Sequence, residues 1–90
     1  MKMRYICFWD PDHVLNPNLG RWDEEGWFYI TIKDRADLER VFLTKLPGSP
    51  DVTRMYVRSI QDTEELWQDV IGRLNRYATS LGLDRAVVCH

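Results

Sequence analysis

The chain has 90 residues, 44% hydrophobic and 29% charged, with 12 Lys and Arg against 14 Asp and Glu for a net charge of −2. Those values describe one globular domain over residues 1–90 that buries roughly 60–65% of its unfolded surface, and they exclude a disordered chain. Charges of both signs are interspersed, which excludes a basic phosphate-binding stripe and a DNA-mimicking acidic shell, and no apolar stretch reaches the ~20 residues of a membrane span.

The first predicted strand covers residues 3–9 and is closed by Asp10-Pro11. It follows a basic start, but Asp10, Pro11 and Asp12 cut its apolar run short of signal-peptide length. No small-residue cleavage site follows, so a cytoplasmic protein is expected. Cys7 and Cys89 are then reduced thiols inside strands. Either Tyr5, Cys7 and Trp9 or Ile6 and Phe8 can form the buried side of this strand, and the residues leave both registers open.

Residues 11–26 have loop composition, with Pro11, Pro17, Gly20 and Gly26. Asp10-Pro11 suits the start of one helical turn. Leu15, Leu19 and Trp22 give the segment something to bury.

A second strand is predicted over 27–33, with Phe28, Ile30 and Ile32 on one face and Trp27, Tyr29 and Thr31 on the other. Asp34 caps a helix in which Leu38, Val41, Phe42 and Leu46 recur at core spacing, and Pro47-Gly48-Ser49-Pro50 ends it. A third strand is expected over 52–60, with Met55 and Val57 facing the core and Tyr56 between Arg54 and Arg58 on the far side. The second helix opens at Asp62 as N-cap with Glu65 three residues on. Its stripe is Leu66, Trp67, Val70, Ile71, Leu74, Tyr77, Ala78 and Leu81, and Gly82 terminates it. A last strand covers 85–89.

The expected fold is thus α/β (α+β), in the order β-loop-β-α-β-α-β. It is a two-layer sandwich whose four-stranded mixed sheet carries two helices on one face. Strand–helix–strand units favour parallel pairing of strands two, three and four. Two helices cannot cover both faces of such a sheet. The second face, aromatic with arginine, then meets the long loop, a second copy or a partner.

Four constellations bear on function. Trp27, Tyr29, Arg54, Tyr56, Arg58 and, in one of the two registers of the first strand, Tyr5 and Trp9 are aromatics and arginines on an open sheet, as in domains that stack RNA bases, but the glycines of that motif are missing and the net charge has the wrong sign. Trp22, Asp23, Glu24, Glu25 and Trp27 form an acidic turn between indoles, suited to docking into a basic cleft. Cys7, Asp10, His13, Cys89 and His90 are zinc-type residues without local ligand spacing. Asp10, Asp12 and His13 offer acid–base or magnesium chemistry, without a nucleophile motif or phosphate loop beside them.

The expectation from these residues is binding without catalysis, with no cofactor and no metal. A small, mildly acidic domain with surplus aromatics suits a stoichiometric inhibitor, such as a toxin-immunity protein or an anti-CRISPR-like phage anti-defence protein. The expected partner is another protein, a toxin or a defence-complex subunit, with homodimer formation as a further possibility. Its contact set is Trp22, Asp23, Glu24, Glu25, Trp27, Tyr29, Arg54, Tyr56 and Arg58, anchored by Trp22 and Tyr56. The alternatives are an RNA-binding sheet and a metal-dependent enzyme using Asp10 and His13.

Overall fold

The computed structural model describes residues 3–45, 55 and 57–89. They form a small α+β domain in the order β1 (Arg4–Trp9), β2 (Arg21–Trp22), β3 (Trp27–Ile32), α1 (Arg35–Lys45), α2 (Glu64–Ser80) and β4 (Val87–Cys89). The sheet is three-stranded and antiparallel, β3-β1-β4, and the two-residue β2 extends it along the outer edge of β3. The expected parallel pairs are absent among the described residues. β1 lies between β3 and β4, so those two strands share a direction without touching.

Alternation in β3 is as expected: Phe28, Ile30 and Ile32 are buried. In β1 the register settles the open choice. Ile6 faces Ile30 and Phe8 faces Phe28, so these four share the core side, while Cys7 faces Tyr29 and Trp9 faces Trp27. One contiguous core joins that side to Leu38, Val41 and Phe42 of α1 and to Leu66, Trp67, Val70, Leu74 and Ala78 of α2.

None of the described residues of the third expected strand is in a strand. Met55 and residues 57–59 are helical, Met55 is exposed and Val57 is fully buried. Val57 and the half-buried Ile60 pack on the core at i,i+3 spacing, a helical period within the apparent alternation. Arg35 stabilises this turn by donating from one Nη to the carbonyls of Val57 at 2.7 Å and Ile60 at 2.6 Å, as a cation does at a helix C-terminus. Leu46, residues 47–50, Arg54 and Tyr56 lie outside the described residues.

Helix boundaries follow local chemistry. The Asp34 carboxylate accepts the Asp37 N–H at 2.9 Å, and Asp37 reaches back to the Lys33 N–H and ammonium. In α2 the N-cap is Thr63, whose Oγ1 accepts the Leu66 N–H at 3.3 Å, one residue later than expected. Asp62 is displaced from that role because its carboxylate takes the Trp67 indole N–H at 2.6 Å. Gly82, at φ +83°, ends the helix as expected: its N–H bonds Thr79 and the Leu83 N–H bonds Ala78, closing a Schellman motif. No helix among the described residues is long and apolar enough to cross a membrane.

Candidate binding face

The position of the long loop decides what the second sheet face presents. Asp10, fully buried at the end of β1, organises that loop. One carboxylate oxygen accepts the Val14 N–H at 2.9 Å; the other accepts the Leu15 N–H at 3.1 Å and the Trp22 indole N–H at 2.9 Å. Burial pushes this carboxyl up, but those three hydrogen bonds and the charge of His13 outweigh it and hold the pKa below the ordinary carboxylate range. His13 takes a left-handed backbone at φ +56° and stacks on Trp22, ring centroids 4.3 Å apart. Leu15 and Leu19 are thereby delivered to the core that the helices share.

Trp22 goes with them. Its register partner is Phe28, a core-side residue, and the two rings lie 4.7 Å apart. Trp22 therefore packs on the core as a half-buried residue, on the side away from Trp27 and Tyr29. The same geometry assigns Asp10 a structural part: both oxygens are occupied by loop N–H groups, and the side chain does not reach solvent. Cys7 is buried on the opposite sheet side, so it is not grouped with Asp10 and His13. No set of three metal-ligating side chains converges among the described residues, and His90 lies outside them.

With the loop drawn to the core side, Tyr5, Cys7 and Trp9 of β1 and Trp27, Tyr29 and Thr31 of β3 share the other face. Val87 of β4, opposite Cys7, and Arg21 of β2, opposite Tyr29, extend it. Trp9 is 42% exposed, Tyr29 37% and Val87 50%. Trp9 and Trp27 meet edge to face with centroids 5.3 Å apart, a favoured geometry that holds two indoles in place at the surface.

The acidic turn lies at the indole end of this face. Asp23 Oδ1 accepts the N–H groups of Glu25, Gly26 and Trp27 at 2.9, 2.9 and 3.0 Å, and Oδ2 accepts the Tyr29 hydroxyl at 3.1 Å. Desolvation opposes ionisation of Asp23, but these four donors prevail and lower its pKa. Glu24 and Glu25 project into solvent. Of the expected contact set, the structure thus brings Asp23, Glu24, Glu25, Trp27 and Tyr29 together. It turns Trp22 to the other side and places Arg58 on the exposed side of the helical turn at 57–59.

Trp9 and Val87 complete the face; Trp9 belongs to it in one of the two registers the residues left open, and Val87 was missing from the expected set. Trp9 was hidden by the double apolar parity of β1. Its one available signal was that Ile6 and Phe8 match the aliphatic-aromatic face of β3. No protein-family model matches this chain, and no curated protein or solved structure matches it either.

Proposed function

We propose that this chain is a cytoplasmic protein-binding module that acts stoichiometrically and without catalysis, as an inhibitor of the toxin-immunity or phage anti-defence kind. We read its fold as two layers, with helices and loop on one side of the sheet and the partner on the other. One observation carries this reading: Trp9 and Tyr29 stay exposed, with Trp27 half-buried between them, on a sheet whose loop is committed elsewhere. Tryptophan and tyrosine are the residue types that anchor protein interfaces, and their few rotatable bonds make them inexpensive to order.

Base stacking on the sheet is the weaker reading. The segment that would supply its arginine-flanked strand is helical at Met55 and residues 57–59, and carboxylates border the aromatic face. Affinity capture from source cells with the tagged wild-type chain, Trp9→Ala and Tyr29→Ala tests the proposal. One protein retained near equal stoichiometry by wild type and lost by both variants is the expected result. Retention unchanged in both variants, with their melting temperatures preserved, refutes it.

A further inference from the structure

We infer that the open sheet face takes an arginine- or lysine-bearing protein segment, with its cation seated at the Trp9–Trp27 pair beside the carboxylates of Asp12, Glu24 and Glu25; this rests on the reading of that face as a binding surface. The face supplies the anchor, and the charge around it selects the occupant. The turn after β1 and the turn before β3 are held together: the Asp10 N–H donates to the Gly26 carbonyl at 2.9 Å. Gly26 also lies so close to Pro11 that an added Cβ would stand 3.0 Å from Pro11 Cα and 3.4 Å from the Trp9 ring. Asp12 from one turn and Glu24 and Glu25 from the other are therefore brought to the end of the sheet where the two indoles sit.

These three carboxylates are exposed, and among the described residues none is ion-paired. Asp23 adds a fourth negative charge, spent on the turn itself but still felt by an incoming group. Against them the face sets Arg21, displaced toward the β2 edge, while Lys33 and Arg40, which line the same groove as Tyr29 and Thr31, each pair with Asp37. Indole is the strongest cation–π acceptor among side chains, and guanidinium both stacks on a ring and forks onto a carboxylate. A phosphate backbone would meet only repulsion at the same place. A second copy meeting this one face to face would bring an identical acidic end.

The probe is a short arginine–serine peptide, with its citrulline counterpart, its glutamate counterpart and a single-stranded oligonucleotide as comparisons. Calorimetry gives affinity, and indole N–H resonances of the full chain report which tryptophans are touched. The expected result is binding of the arginine peptide alone, weakened about tenfold by citrulline. Trp9→Ala, and Glu24→Gln with Glu25→Gln, should each weaken it severalfold, and resonances of Trp9 and Trp27 should move while Trp67 stays still. Equal affinity for the citrulline peptide, preference for the oligonucleotide, indifference to the Glu24 and Glu25 changes, or indole shifts that follow protein concentration alone would each overturn the inference. Should no arginine peptide bind while Tyr29→Ala still releases the captured partner, the cation seat is refuted and the binding face survives. Should Trp9→Ala and Tyr29→Ala both leave capture intact, the binding face is itself refuted.

Discussion

The Asp10 carboxylate accepts the Trp22 indole N–H at 2.9 Å, twelve residues along the chain. Through that bond and the two from Val14 and Leu15, a single buried acid holds a sixteen-residue connection against the core. Everything exposed on the far side of the sheet follows from this commitment.

Asp10→Ala is expected to destabilise the fold by about 3 kcal/mol, since it leaves three buried or half-buried N–H donors without an acceptor. Asp10→Asn keeps one carbonyl acceptor and should cost roughly half as much. Urea denaturation at neutral pH measures both. A loss below about 0.5 kcal/mol for the alanine variant would mean that apolar packing, not the carboxylate, holds the loop.

Acid should act through the same group. Its folded pKa lies below the unfolded value of 3.8, so the unfolded chain binds more protons in that range. The stabilisation is fully present above the ordinary carboxylate pKa and is lost as pH falls through the depressed folded value. Asp37 behaves alike: burial raises its pKa, but Lys33 and Arg40 lower it further. Melting temperature followed from pH 6 downward should therefore fall, and Asp10→Asn should flatten the fall. A parallel decline in wild type and variant would remove Asp10 from this account.

The two faces of β3 should respond in opposite ways to truncation. Phe28→Ala opens the core and should cost about 3–5 kcal/mol. Tyr29→Ala, one residue on and facing solvent, should cost about 1 kcal/mol, mostly the bond to Asp23. Trp9→Ala should be similarly mild, limited to its contact with Trp27. Chemical denaturation distinguishes the pairs; a Tyr29→Ala variant as unstable as Phe28→Ala would make this face interior.

Gly20 is expected to resist substitution because a Cβ there would stand 2.0 Å from the Tyr29 carbonyl oxygen. Backbone against backbone cannot yield without parting β2 from β3. Gly20→Ala should cost about 1–3 kcal/mol and speed amide exchange at Arg21 and Trp22. Unchanged exchange with full stability would show that β2 accommodates the methyl.

The elements legible in the residues are those set by neighbours within one turn. The Thr63–Leu66 cap, the Gly82 stop and the α2 stripe are local statements; the cap residue moved from Asp62 to Thr63, and Leu81, expected in the stripe, is the exposed C-cap. The alternation of β3 was equally plain. At 52–60 the same local reading failed, because Val57 fits a period of two and Val57 with Ile60 fits a helical one. The Arg35 guanidinium, more than twenty residues away, favours the helical turn there.

Side is what the linear chain could not encode. β1 is apolar in both parities, so only pairing with β3 decides that Ile6 and Phe8 go in while Trp9 comes out. The destination of Trp22 was equally undetermined, since an indole suits a surface anchor and a core edge alike. Sequence alone determined the two long helices, the alternation of β3 and the excess of aromatics, because hydrogen bonding and burial along a single element impose them. Tertiary structure alone decided which aromatics meet water: that choice depends on a carboxylate and an indole finding each other across a loop, and on a sheet with only one side left for its own chain to cover.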